Sequence, residues 1–249
     1  MVSSEPPQPG QRSGWTGLDD SRREFRLPFL VLALTTGIAG FVDAFAYLSY
    51  GAFVANQSSN VVFLGIGPAG RHPTWPAAAA SLVAFAAGAG VVTRLRATRS
   101  RWSAPVRVLV ATVIATSVWA VLNVLLQYGR HGPQARIALS ALGGFAMGCL
   151  ATLFVRTAGV ATTITYQSGT VAKTGERIVS WLAGPGVDRT KARRASLLGL
   201  LTLVGYAVGG GIGTLAQQRP LWVPAWATLA LVAVMFMVRP NPARTRSHT

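Results

Sequence analysis

Acidic side chains are almost missing from this chain. Seven Asp and Glu stand against 23 Lys and Arg, and charged residues make up only 12% of the 249 positions. A soluble domain carries about 25%, so long stretches here have no charge to keep them in water and read as transmembrane helices. Cysteine occurs once, at Cys149, which excludes an intrachain disulfide and a thiolate metal cluster. Gly148 and Leu150 place that thiol in an apolar helix, where it is expected to be buried and inert. His72, His131 and His248 are dispersed and give no metal-ligand spacing. No Ser–His–Asp set and no paired carboxylates converge, so no enzyme and no cofactor is expected. The net charge of +16 raises nucleic acid as a partner. The cations, however, lie between apolar runs rather than on one soluble face, which excludes it.

Six apolar runs are long enough to span a bilayer: 28–49, 76–94, 105–127, 135–156, 196–216 and 221–238. Each approaches the requirement of about 20 residues. Residues 1–27 are polar and rich in Pro, Gly and Ser, and are expected to be a disordered cytoplasmic N-terminus. Two stretches of marginal length remain, 53–67 and 160–172, which read as re-entrant or broken helices. Six spans with an inside N-terminus put 19 Lys and Arg inside and 4 outside, as the positive-inside rule requires. Eight spans would lower the split to 16 and 7. Ser21-Arg22-Arg23-Glu24-Phe25 resembles a twin-arginine export motif. Five further apolar runs, and a charge at Asp43 where the signal's apolar stretch would end, argue for a basic cytoplasmic anchor instead.

The two marginal stretches carry related polar motifs 110 residues apart. Asn56-Gln57-Ser58-Ser59-Asn60-Val61, closed by Gly65, matches Tyr166-Gln167-Ser168-Gly169-Thr170-Val171, closed by Gly175. Each half then has one plan, a helix, a polar short segment and two helices. Gly37, Gly40 and Ala44 in the first helix find small counterparts in Gly143, Gly144 and Gly148, and small residues let membrane helices approach closely. Three spans per half is odd, so the second half sits upside down: an inverted 3+3 repeat. The expected fold class is therefore all-α: a polytopic membrane protein with about six transmembrane helices and two short re-entrant segments. Its parts are 1–27, a first repeat at 28–127, a second at 128–238 and a cytoplasmic tail at 239–249.

The polar segments supply the candidate substrate-binding residues. Asn56, Gln57, Ser58, Ser59 and Asn60 offer neutral donors and acceptors from one side, and Thr163, Thr165, Gln167, Ser168 and Thr170, with Thr162, from the other. The two are expected to meet near the midplane. Irregular backbone at membrane depth is tolerated where it lines a watery cavity or is buried in protein. A solute path and a knitted, broken backbone both fit, and neutral linings suit small polar solutes or weakly hydrated ions. Asp43 is the one acid inside any run. Intramembrane acids are functional by default, so it joins the candidates as a proton or cation site. Its plainer roles are a carboxyl neutralised by protonation or a structural bond to Asn60 or Ser59.

Other features have plain readings. Asn123 and Gln127 share a helix face at i,i+4 and either extend a polar path or meet headgroup water. Trp102, Trp119, Trp181 and Trp222 fit an interfacial aromatic belt. Gly209-Gly210-Gly211 with Gly213 follows no strand and lacks Lys-Ser/Thr, so it reads as a close helix contact rather than a phosphate loop.

Phe41-Val42-Asp43-Ala44, Phe53-Val54-Ala55-Asn56 and Asn60-Val61-Val62-Phe63-Leu64-Gly65, with Thr162-Thr163 and Ser168-Gly169-Thr170, resemble the YoaK family of bacterial membrane proteins over about residues 28–238. That resemblance implies a six-helix inner-membrane protein carrying a domain of unknown function, and assigns no activity. Family members resemble Asn-Met-Thr-Gly-Asn at the first motif. Here Gln57-Ser58-Ser59 replaces the middle, and Ser59 in place of Gly argues against a tight turn. Gln167-Ser168 replaces a usual Val-Thr, so both halves share Gln-Ser. The expectation is a channel or secondary transporter for a small polar solute or ion, multi-pass in the bacterial plasma membrane with both termini cytoplasmic. The alternative is a non-transporting scaffold, sensor or partner subunit. Expected partners are the lipid bilayer, that solute and a second copy of the chain.

Overall fold

A computed structural model describes residues 24–98, 100, 102–127, 132–153, 167–183 and 186–239. It contains eight α-helices: α1 (Pro28–Tyr50), α2 (Gln57–Ile66), α3 (Trp75–Ala97), α4 (Ala104–Gln127), α5 (Pro133–Ala151), α6 (Gln167–Ala183), α7 (Gly186–Leu215) and α8 (Val223–Met235). Proline supplies several of the starts. Pro28, Pro76, Pro133 and Pro224 each stand in the first helical positions, where a missing N–H costs nothing and φ is already set. α1 stops at Gly51, which takes the left-handed conformation (φ 77°) and returns its N–H to Tyr47 O.

α1, α3, α4, α5 and the stretch Arg189–Gln218 around α7 are long and apolar enough to cross a membrane. The expected sixth span, 221–238, is shorter. A 3-10 turn over Pro220–Trp222 delays its start, and α8 has 13 residues, about 20 Å at 1.5 Å per residue. The fold is that of an all-α polytopic membrane protein, and the apolar helices mark it as embedded in a bilayer. Two other boundaries differ from the sequence expectation. The segment expected at 160–172 is described from Gln167, where α6 begins and runs on to Ala183. The tail expected to be free as far as residue 27 is held in its last residues. There Phe25 pairs with Val238 in a β-bridge and is fully buried.

The long helices pack mainly across the two halves. The two most extensive interfaces are α1 with α7 and α3 with α5, so the first helix of each half lies on the third helix of the other. α4 then covers α5, as α8 covers α1, while α2 stays on α3 and α6 on α7. The close approaches repeat. A Cβ on Gly40 would sit 2.0 Å from Tyr206 O, and one on Gly148 would sit 2.1 Å from Phe85 O. A Cβ on Gly209 would sit 2.0 Å from Gly37 O, and one on Gly88 would sit 2.2 Å from Phe145 O. Gly40 and Gly37 correspond to Gly148 and Phe145, 108 residues on, and not to the small residues at 143 and 144 that the sequence suggested. Tyr206 and Gly209 correspond to Phe85 and Gly88, 121 residues back. Backbone meets backbone at matched depths, so the duplication read from the polar motifs extends to the helix contacts. The glycines at 209 and 213 are contact residues on α7, as expected, and meet Gly37 and Phe41 of α1.

The core forms around α1. Phe45, Tyr50 and Trp119 pack as a buried aromatic group, with Phe45 and Tyr50 edge to face at 5.4 Å. Trp119 therefore belongs to the core and not to an interfacial belt: its ring is fully buried between α1 and α5. Trp102 and Trp222 are exposed, and Trp181 lies half-buried under Arg193. Asn123 is also buried, where headgroup water or a polar path was expected. It accepts from Tyr50 Oη at 2.6 Å and donates to the carbonyls of Pro220 and Leu221. It thereby ties α4 to α1 and to the turn before α8. The side chain of Gln127 lies outside the described residues. Cys149 is buried as expected, its Sγ donating to Gly88 O.

Candidate functional site

Between α1 and α2 the chain runs without helix from Gly51 to Asn56. Ala52, Val54 and Ala55 in this stretch are fully buried. Buried backbone outside regular structure must find partners for its N–H and C=O groups, and side chains from three helices provide them.

Asp43, 1% exposed on α1, takes three successive amides. Its Oδ1 accepts from Val54 N at 2.7 Å and Ala55 N at 2.6 Å, and its Oδ2 from Asn56 N at 2.8 Å. Tyr206 on α7 gives a fourth bond, Oη to Oδ2 at 2.5 Å. An ionised carboxylate is acceptor-only with about four lone-pair directions, and four donors fill them. Backbone amides in a row before a helix also form a concave, positively polarised nest. Here the nest is filled by the chain's own carboxylate.

Asn60, fully buried on α2, completes the segment. Its Oδ1 accepts from Phe53 N at 3.0 Å, and its Nδ2 donates to Phe53 O at 2.6 Å and to Gln57 Oε1 at 2.7 Å. The amide side chain thus pairs with Phe53 as a neighbouring strand would. Ser81 on α3 donates to the same carbonyl at 2.7 Å. Gln57 Nε2 donates to Val54 O at 2.9 Å and reaches Ser81 Oγ at 3.3 Å. Gly51 O accepts from Thr74 Oγ1 and contacts His72 Nε2 at 2.9 Å. Every N–H from Phe53 to Asn56 has an acceptor among these groups.

Of the sequence candidates, Asp43, Asn56, Gln57 and Asn60 converge here. Ser58 is exposed, donating to Asn56 Oδ1, and Ser59 is half-buried on α2. Asp43 bonds to the 54–56 backbone rather than to Asn60 or Ser59. The change to Ser59 fits the local structure, since residues 57–60 form the first turn of α2 and no tight turn occurs there. Gln167 and Ser168 open α6, their side chains outside the described residues, and Thr170 is half-buried on it. Thr162, Thr163 and Thr165 lie outside the described residues. α2 and α6 do not pack on each other as expected; each lies on its own neighbour, α3 or α7. The sequence reading missed Tyr206 and Ser81. A phenol and a hydroxyl in the middle of two apolar runs were the available signals. The correspondence that relates the halves places Ala151 opposite Asp43 and Phe85 opposite Tyr206. The carboxylate–phenol pair therefore exists in one half only.

Residues 31–238 match one family, described as a protein of unknown function, DUF1275. No curated protein and no solved structure matches the chain. Since the family match covers most of its length, and its apolar helices agree with a membrane-embedded fold, the chain belongs to the DUF1275 family.

Proposed function

We propose that this integral membrane protein is a secondary transporter for a small polar solute or ion. It is read as no enzyme, and as lying in the bacterial plasma membrane with both termini cytoplasmic. Within its family we take it as YoaK-like, on the motifs quoted above. The observation that carries the reading is the exchange of helices between matched halves, with one polar junction straddling them. In transporters built from inverted repeats, solute sites lie where the repeats meet, at interrupted helices whose N-termini face the solute. Here α1 and α2 are interrupted at Gly51–Asn56, and Tyr206 from the other half closes over the break. The polar groups are sealed, with Asn60 and Ser81 fully buried. This favours an occluding carrier over an open channel. Movement of α1 against α7 would uncover Asn56, Gln57 and Asn60 and free Asp43 to exchange a proton.

A second reading has its own support. All four lone-pair directions of Asp43 are already used, which suits a scaffold or partner subunit whose polar segment only knits the fold.

Two measurements separate the readings. Proteoliposome swelling in glycerol or urea, repeated over a pH range, should change in Asp43→Asn while the variant still inserts. Unchanged flux would remove Asp43 from the mechanism. Single cysteines at Ser58 and Ser168, in a Cys149→Ala background, should label with an impermeant thiol reagent from opposite faces. Labelling from one face would end the inverted-repeat reading, and no labelling from either would favour the scaffold.

A further inference from the structure

Where α1 begins, a cavity of about 680 Å³ opens to the surface, lined by Phe25–Leu30 and Arg239. We propose that it is a phosphate site for a membrane phospholipid.

Three features meet there. First, backbone pairing brings Arg26 and Arg239 to the wall of one cavity, as diagonal neighbours across the bridge. Phe25 bridges Val238, Arg26 N donates to Met237 O at 2.9 Å, and Arg239 N donates to Glu24 O at 2.9 Å. Side chains alternate across paired extended strands. With Phe25 and Val238 turned into the core, Arg26 and Arg239 are left together on the outer side, both exposed. Neither guanidinium has a hydrogen-bond or ion-pair partner among the described residues. Second, the cavity adjoins the start of a 23-residue helix. Leu27 at its N-cap supplies no side-chain bond and no acid lies in its first turn, so no side chain of that turn offsets the positive end of the helix dipole. Third, the remaining wall is apolar: Leu27, Phe29 and Leu30 are 55%, 48% and 42% exposed. They open the first apolar span, at the level where a bilayer changes from headgroup to hydrocarbon.

Guanidinium forks match phosphate oxygens in pairs. Two of them beside an uncapped helix start suit a phosphate that keeps its negative charge. The apolar wall continuing down α1 is what a free phosphate would not use and an acyl chain would. Glu24 is the acid beside the site, and its backbone carbonyl is held by Arg239. The ligand class is therefore an anionic phospholipid, with its phosphate between Arg26 and Arg239 and its acyl chain along Phe29 and Leu30. This site is independent of any transport activity.

The test uses the full chain in phosphatidylcholine nanodiscs doped with phosphatidylglycerol. Retained lipid is counted by native mass spectrometry, and folding is checked by thermal unfolding in phosphatidylcholine alone. The wild type should retain phosphatidylglycerol preferentially. Arg26→Gln with Arg239→Gln should lower that retention about tenfold, a change of about 1.4 kcal/mol, with an unchanged melting point in phosphatidylcholine. If the Gln pair does not fold, Arg26→Lys with Arg239→Lys keeps the charge and should hold the lipid more weakly than the wild type. Equal retention by the folded Gln pair, or by the Lys pair, would overturn the guanidinium site. Full displacement of the lipid by millimolar inorganic phosphate would overturn the lipid assignment in favour of a free-anion site.

Discussion

The Asp43 carboxylate shows how much one buried acid can organise. Its three amide partners hold the break after α1 against that helix, and its phenol partner holds α7 to both. Removing a hydrogen bond to a charged group costs about 1.5–3 kcal/mol. Tyr206→Phe, which puts at this place the residue type that stands at the corresponding position 85, should therefore lower stability by about that amount in denaturant unfolding from mixed micelles. Asp43→Asn should cost more than Tyr206→Phe, because its new NH2 must face donors that it cannot accept from. The reverse order would show that the phenol, not the amide nest, is the main support of the carboxylate. Asn60→Leu has a different signature. It leaves Phe53 N without an acceptor, at about 1–3 kcal/mol, and hydrogen exchange at Phe53 should rise while the amides held by Asp43 stay protected.

At the scale of elements, glycine separates contact from filler. Gly40→Ala would drive a methyl group into Tyr206 O, and overpacking of this kind costs about 1–3 kcal/mol. A Cβ on Gly90, on the same helix as Gly88, meets nothing within 4 Å. Gly90→Ala should leave the melting temperature unchanged or raised, while Gly40→Ala and Gly148→Ala both lower it. Similar losses at 40 and 148 would follow from their matched positions, and a loss at only one would argue against equivalent interfaces. These elements were largely legible in the sequence. Apolar run length located α1, α3, α4, α5, α7 and α8, and the paired polar motifs fell on the segments where α2 and α6 begin. Other features were not legible, each for a physical reason. Trp119 and Asn123 resemble interfacial residues by type and position along a run, but which side of a helix faces the core depends on its neighbours. The partners of Asp43 are backbone amides of Val54 and Ala55, whose side chains carry no polar signal. Tyr206 lies 163 positions from its acid, beyond any local pattern.

For the whole molecule, the exchange of partners means that neither half contains its own main interface. Residues 1–130 and 131–249, expressed as separate chains, should each be degraded or aggregate. Together they should assemble into a complex that melts as one unit. A first half stable by itself would mean that α1 and α3 suffice for each other, against the observed packing.

The exchange also sets a timetable for synthesis. α1 is complete at Tyr50, yet the helix that covers it begins only at Gly186. At about 5–20 residues per second, the ribosome needs roughly 7 to 27 seconds to supply it. Throughout that interval α1 is in the membrane with Gly37 and Gly40 uncovered and Asp43 without its phenol. The nascent chain is thus exposed to mispairing with other small-residue helices for longer than a bundle of sequential hairpins would be. Any factor that shelters α1 during those seconds would raise the yield of the finished protein without touching its folded state.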